Sequence, residues 1–359
     1  MQRLHSLDFL RAVAMLLGLA IHAPLIFYEP DIAIESGLEP LPEPEVWIWT
    51  MLTFISNWRM PLFYLLAGFF AAMVIEKRGV QKFLWDRSVR IGLACVFFAS
   101  AIDLMDGKLN FTLAHLWFLY YLFFFILMLC FLQQFQIVRN ALTRSLSTKA
   151  FFILAGWLLI TVPLAAVFNN DLSPLTMLEP PETYAEIKLG NLLYYFSYFL
   201  MGPLLYSNQK LFPILAQTKS LVALAIFSLA AFAYQLLGFA ESWVTYAFLK
   251  GLNSLFWCLL FLGLATRFIR SGSPLLNWLV ELSYPIYLLH IIPIVIISMG
   301  FYQTGFSQVN VVIFSIFFGF LASVFLYYLL IKFTPLNWMV NGYAKSFLRF
   351  KARQQRKAS

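Results

Sequence analysis

The sequence predicts an all-α polytopic membrane protein, a helical bundle of about ten transmembrane helices with both termini in the cytoplasm. Hydrophobic residues make up 61% of the 359 residues and charged residues only 12%, which is far too apolar for a soluble protein of this size. The apolar residues also fall into windows of about 20, the length that crosses a bilayer as a helix.

Taken in order, the predicted spans are residues 7–27, 47–75, 89–105, 112–132, 150–168, 189–206, 220–238, 246–265, 277–298 and 309–331. The second span is too long for one straight crossing. Because Arg59 and Pro61 lie in its middle, we expect a break between an interfacial aromatic piece and a membrane helix that continues to Ile75. The first span is expected to be a retained helix rather than a cleaved signal, since Asp8 and Arg11 interrupt it.

The distribution of basic residues predicts the topology. With a cytoplasmic amino terminus, twenty of the 25 lysines and arginines fall inside and only Lys108 and Lys188 fall outside, as the positive-inside rule requires. This bias explains the net charge of +8 and leaves no nucleic-acid footprint. We expect one membrane domain over residues 1–335, followed by a basic cytoplasmic tail over residues 336–359 that anchors to lipid headgroups or fixes topology.

The first span carries two ionisable residues on one face. Arg11 and His22 are eleven residues apart, which is about three helical turns and roughly 16 Å along the axis. Such residues inside a bilayer are costly and therefore indicate a site, although Arg11 at the cytoplasmic edge and a hydrogen bond from His22 to a neighbouring helix would also explain them. Between them, Ala14 and Gly18 leave room for a slim cofactor arm or serve close helix packing.

Three of the four histidines fall in the outer half of the predicted bundle, namely His22, His115 and His290. Ser283 and Tyr287 precede His290 at helical spacing and form one hydrogen-bonding stripe with it. Three histidines at similar depth favour a polar cavity over three separate core residues. A histidine near its ordinary pKa suits a base that deprotonates a hydroxyl attacking an activated acyl group.

Two sets of cations have alternative explanations. Arg59 is always charged and needs an anionic partner, which a ligand carboxylate or phosphate, an acidic residue of the first outer loop, or snorkelling to the surface would provide. The loop residues Lys82, Arg87 and Arg90 are explained by topology or by binding of a phosphorylated cofactor. No metal-ligand spacing, phosphate-binding loop or nucleophile elbow is visible.

Four blocks of sequence carry a resemblance to a known family. They are Leu7–Ala12 followed by His22, Arg59–Tyr64 with Ala67–Phe69, His115–Leu119, and Ser283–His290. Together they resemble membrane acyltransferase family 3, and within it most closely the glucans biosynthesis protein C branch, which adds succinyl groups to periplasmic glucans. Two departures, Ala67 in place of a frequent serine and the lack of an acidic residue after the Trp117 block, weaken the case for a serine or carboxylate relay.

The resemblance implies an O-acyltransferase of the bacterial inner membrane. It implies acyl-coenzyme A, with succinyl favoured over acetyl, as a cytoplasmic donor rather than a permanently bound cofactor, and a hydroxyl of a periplasmic glycan as acceptor. Carried onto this chain, it makes His22 the catalytic base and Arg11 a donor-side residue. The other candidate residues are His115 and His290 for catalysis, Lys82, Arg87 and Arg90 for the donor, and Trp58, Arg59, Trp117, Ser283 and Tyr287 for the substrates.

A transporter or flippase for a glycan, lipid or anionic metabolite is the main alternative, and a membrane sensor or assembly partner without catalysis is a third possibility. A transporter would also explain Arg11, Arg59 and His22 inside the membrane. Against it, the sequence shows no inverted repeat and no paired short, broken helices at corresponding positions.

Overall fold

The computed structural model describes residues 4–29, 41–105, 107, 112–135, 144–168, 178, 180–237 and 242–342. Within these residues the chain is helical, and its one β feature is an isolated antiparallel bridge between Thr112 and Thr183. The α-helices are α1 His5–His22, α2 Leu25–Tyr28, α3 Val46–Arg78, α4 Val80–Arg87, α5 Ala94–Met105, α6 Trp117–Leu132, α7 Arg144–Phe168, α8 Leu189–Ser207, α9 Leu211–Leu215, α10 Thr218–Leu236, α11 Trp243–Phe268, α12 Pro274–Leu289, α13 Ile291–Gln303, α14 Gln308–Leu326 and α15 Leu336–Asn341. π-helical turns at Ser88–Leu93 and Tyr327–Lys332 and a 3₁₀ turn at Ala114–Leu116 complete the helical elements.

Among the described residues, seven helices are long and apolar enough to cross a membrane, and the bent pair α12–α13 passes the same test together. These eight coincide with eight of the predicted spans and confirm an all-α, multi-pass membrane protein. The remaining predicted spans, 89–105 and 189–206, are also helical, as the Ser88–Leu93 turn with α5 and as α8. The count of ten crossings and the cytoplasmic placement of both termini stay predictions.

The break predicted inside the second span is wrong. Helix α3 runs without interruption for 33 residues with Pro61 inside it. At the helical rise it is about 50 Å long, whereas the hydrocarbon core is about 30 Å thick. A helix of this length extends past the hydrocarbon core. Pro61 is buried, an environment in which neighbouring protein can accommodate a proline inside a membrane helix.

The ninth predicted span is not one straight helix, which corrects the continuous window 277–298. Helices α12 and α13 meet at His290 with a bend of 73°. Pro293 favours the break, because a continuous helix would need its missing N–H to donate to the carbonyl of Leu289. As the third residue of α13, the same proline lies in a first turn, where no such bond is required.

The chain divides into two compact units, and the boundary falls inside α1 and inside α3. Unit 1 comprises Met1–Arg11 and Asn57–Gly272, and unit 2 comprises Ala12–Ser56 and Ser273–Ser359. In unit 1, the backbones of α3 and α8 touch at Gly68 and Gly202. In unit 2, α13 and α14 pack as a hairpin. The single membrane domain 1–335 stays a prediction, and the predicted tail beyond Gly342 lies outside the described residues.

Candidate active site

Two of the predicted catalytic histidines lie side by side in unit 2. His22 is the last residue of α1, and His290 is the residue at the α12–α13 break. Their ring centroids are 5.2 Å apart, with the planes tilted by 50°. We call these two side chains the imidazole pair. Residues 268 positions apart in sequence thus form one polar centre in unit 2.

The tautomer of the neutral His290 ring follows from its contact with the preceding turn. Its Nδ1 atom is 2.7 Å from the carbonyl oxygen of Tyr287. A carbonyl oxygen only accepts hydrogen bonds, so the Nδ1 atom of the neutral ring carries the hydrogen. The Nε2 atom then carries the lone pair. The His290 ring is fully buried.

The predicted hydrogen-bonding stripe on α12 is only partly available to a ligand. Ser283 and Tyr287 are buried one helical turn apart. However, the hydroxyl of Ser283 donates to the carbonyl of Val280 at 3.1 Å within its own helix. The ring of Tyr287 lies 5.3 Å from that of His290. Tyr287 therefore contacts the imidazole pair, whereas the Ser283 hydroxyl bonds to its own helix.

The predicted substrate residues Trp58, Arg59 and Trp117 all belong to unit 1. The Trp58 ring packs on Phe261 with 4.4 Å between centroids, and the Trp117 ring lies 5.6 Å from that of Tyr195. Arg59 is only 6% exposed. That burial argues against the snorkelling explanation, so an anionic or polar partner is what would stabilise the charge of Arg59 inside the protein.

His115 also lies in unit 1, on a turn with an unusual backbone. The residue before it, Ala114, has a φ of +43°, in the left-handed region that is unfavourable for a residue with a side chain. Two contacts hold this turn: the Leu113 N–H donates to the Glu182 carbonyl at 2.7 Å, and the Asp103 carboxylate accepts from both the N–H and the hydroxyl of Thr112. The buried Asp103 was not singled out from the sequence, where it is one polar residue at the end of an apolar span.

Arg11 has local partners in unit 1. Its guanidinium is 3.4 Å from the Asp8 carboxylate one turn earlier and lies over the Phe70 ring at 5.1 Å. The side chain remains 33% exposed. Arg11 is thus oriented by an acid and an aromatic ring while part of its surface stays accessible to a ligand.

The predicted donor cations Lys82, Arg87 and Arg90 lie on α4 and the π-helical turn after it. Lys82 is exposed. Arg87 and Arg90 approach the carboxylate of Asp86 at 3.8 and 3.7 Å. Asp86 therefore offsets part of this positive charge, a partner that the sequence prediction left out.

Within the described part of the chain no group of three or more His, Cys, Asp or Glu residues is placed to hold a metal ion. The three cysteines are buried thiols. What the described residues do offer is the imidazole pair, in which His290 is fully buried and His22 is partly buried, and imidazoles suit acid–base chemistry.

Comparison with known proteins identifies the family. A family model described as an acyltransferase domain, that of acyltransferase family 3, matches residues 4–332, so the chain belongs to this family of membrane acyltransferases. Glucans biosynthesis protein C of Escherichia coli O81 (strain ED1a) is 24% identical over 324 residues, 80% of this chain and 81% of that protein. The protein of the same name from Escherichia coli O1:K1 / APEC is 32% identical over 92 residues, 26% of this chain and 23% of that protein. No solved structure matches.

Proposed function

We propose that this protein is an O-acyltransferase that moves an acyl group, succinyl in preference to acetyl, from cytoplasmic acyl-coenzyme A to a hydroxyl of a periplasmic glucan or another exported glycan. The family supports acyl transfer, and the name of the relatives supports a glucan as acceptor. The observation that carries the chemistry is the imidazole pair, with 5.2 Å between ring centroids. The bacterial inner membrane is the corresponding location.

In the proposed reaction, His22 removes the proton of the acceptor hydroxyl. The hydroxyl oxygen forms a bond to the thioester carbonyl carbon, the carbon–sulfur bond breaks, and coenzyme A leaves with the proton that His22 had taken. In this proposal His290 is in its neutral form, with its Nδ1 hydrogen donated to the Tyr287 carbonyl. The positive charge that forms on His22 then meets a neutral imidazole instead of a second cation. Tyr287 and Ser283 line the acceptor side, and His115 is the third proposed catalytic histidine.

The donor in this proposal is a substrate and not a resident cofactor. Arg11 binds on the donor side, and Lys82, Arg87 and Arg90 bind the phosphates of coenzyme A through charge-assisted hydrogen bonds. Trp58, Arg59 and Trp117 recognise the acyl group and the sugar.

Acceptor-dependent release of free coenzyme A tests the proposal. Purified protein in lipid is incubated with succinyl-coenzyme A, with and without periplasmic glucan, and the free thiol is measured. We expect thiol release only when both substrates are present. An absence of release with glucans and other exported glycans would contradict the proposal.

One observation favours a transporter or flippase as a second candidate. The break at His290, with its bend of 73°, resembles the discontinuous helices that form substrate sites in transporters. Such a protein would move labelled glycan or lipid across a liposome membrane without thiol release. The thiol assay and a transport assay on the same liposomes therefore separate the two candidates.

Replacing Arg59 by alanine is expected to impair succinyl transfer more than acetyl transfer. A succinyl donor carries a second carboxylate that a guanidinium can bind, and a hydrogen bond to a charged group contributes about 1.5–3 kcal/mol, at least about tenfold in kcat/KM. The measurement is kcat/KM with each donor, and the Arg270→Ala variant, which removes an exposed arginine, is the control. An equal loss with both donors would remove the argument for succinyl.

Substitutions around Asp86 are expected to change donor affinity in opposite directions. Arg87→Ala should raise the donor KM about two- to fivefold with little change in kcat, as removal of a partly exposed charge contact predicts. Asp86→Asn should lower the donor KM, because the carboxylate near Arg87 and Arg90 competes with phosphate. The control is Lys219→Ala, another exposed basic residue, for which no change is expected. A donor KM that is unchanged in both test variants would show that these cations do not bind the donor and serve membrane topology alone.

A further inference from the structure

The end of α1 leaves one backbone carbonyl without a partner in its own helix. If the helix continued, the N–H of Phe27 would donate to the carbonyl of Ala23. Instead, this N–H donates to the carbonyl of Pro24 at 2.9 Å. The Ala23 carbonyl, which belongs to the residue next to His22, must therefore be satisfied from elsewhere.

Ser298 on α13 supplies the missing hydrogen bond. Its hydroxyl donates to the Ala23 carbonyl oxygen at 2.9 Å, and its side chain is fully buried. A second contact joins the same two segments, since the Phe27 ring packs edge-on against Tyr302 with 5.8 Å between centroids. Both contacts lie within unit 2.

Helix α13 thus connects to both members of the imidazole pair. His290 immediately precedes its first residue. Ser298 follows eight residues later, about 12 Å along the helix. Because a helix of this kind is stiff, the Ser298 bond and the position of His290 together determine where the end of α1 lies relative to the His290 ring.

We propose that Ser298 is a positioning residue for the imidazole pair: its hydroxyl holds the end of α1 so that His22 stays next to His290. The effect of Ser298 on catalysis rests on the proposed function, whereas its effect on the position of His22 relative to His290 does not. Ser298 does not contact the reacting atoms. It acts through the Ala23 carbonyl and the backbone of His22.

The kinetic test compares three variants. Ser298→Ala is expected to lower kcat about tenfold, equivalent to about 1.4 kcal/mol in the barrier, while the KM of each substrate changes by less than about twofold. Ser298→Thr keeps the hydroxyl and should restore most of kcat. Ser323→Ala is the matched control, because that serine is equally buried but donates to Gly319 of its own helix at 2.6 Å.

A cross-linking test needs no catalytic activity. His22→Cys and His290→Cys are combined in a chain whose native Cys95, Cys130 and Cys258 are replaced by alanine, and the rate of oxidative cross-linking is measured. Adding Ser298→Ala should slow the cross-link several-fold, adding Ser298→Thr should restore the rate, and adding Ser323→Ala should not affect it. Cross-linking at the parental rate with Ser298→Ala would overturn the positioning role. Failure of the unsubstituted protein, with His22 and His290 in place, to release coenzyme A would instead overturn the proposed function.

Discussion

Replacing His22 by alanine should lower acceptor-dependent release of coenzyme A by about 10²–10⁴-fold, the usual contribution of a general base. The alanine variant removes the only group in the imidazole pair that is proposed to take the hydroxyl proton. Because His22 is the last residue of α1, its loss should leave the helix and its insertion intact. The measurement is the initial rate of thiol release by purified protein at saturating donor and acceptor.

The matched control for His22 is His5→Ala. His5 is the first residue of the same helix, so this variant makes the same change of side chain away from the imidazole pair. It should purify and transfer acyl groups at close to the parental rate. Full activity in correctly inserted His22→Ala protein would rule out His22 as the base.

Replacing Gly68 by alanine should destabilise unit 1 by about 3 kcal/mol, at the upper end of the cost of overpacking. A methyl group at Gly68 would occupy the same space as the backbone carbonyl of Phe199 on α8. The opposite face of the contact is equally tight, since a methyl group at Gly202 would meet the backbone of Leu65. Two backbones in direct contact cannot make room by rotating a side chain, so the helices must separate.

A second glycine-to-alanine variant isolates this packing effect. At Gly156 on α7 an added methyl group meets nothing within 4 Å, and alanine is favoured over glycine in helices by about 1 kcal/mol. Gly156→Ala should therefore melt at or slightly above the parental temperature, whereas Gly68→Ala should melt well below it or fail to accumulate in the membrane. Thermal unfolding of the two purified variants makes the comparison. Equal melting temperatures would show that the α3–α8 contact tolerates separation.

The helices themselves could be predicted from sequence because bilayer thickness imposes one length on every span. The positions at which these helices break or continue could not be predicted. Pro61 and Pro293 give the same sequence signal, yet α3 continues through Pro61 while the chain bends just before Pro293. The difference depends on what surrounds each proline in the folded protein, and a single sequence does not contain that information.

The candidate site also has features that the sequence predicts and features that only the folded structure shows. The sequence predicted that His22 and His290 lie at a similar depth in the membrane, and in the structure their rings lie side by side. The bond from Ser298 to Ala23 and the bonds from Thr112 to Asp103 had no periodic signature that would reveal them. Each depends on a carbonyl or carboxylate whose partner is decided by tertiary packing. The acid near Arg87 and Arg90 was visible in the sequence as Asp86, but only its proximity shows that it offsets their charge.

Acyl transfer to a glycan hydroxyl, proposed for this membrane acyltransferase, is tested most directly by the mass of the glycan. Purified protein is incubated with isotopically labelled succinyl-coenzyme A and periplasmic glucan, and the recovered glucan is analysed by mass spectrometry. We expect a mass increase of one labelled succinyl group, reversed by mild alkali as for an ester and absent with His22→Ala protein. A glucan of unchanged mass after incubation with active, correctly inserted protein would contradict it.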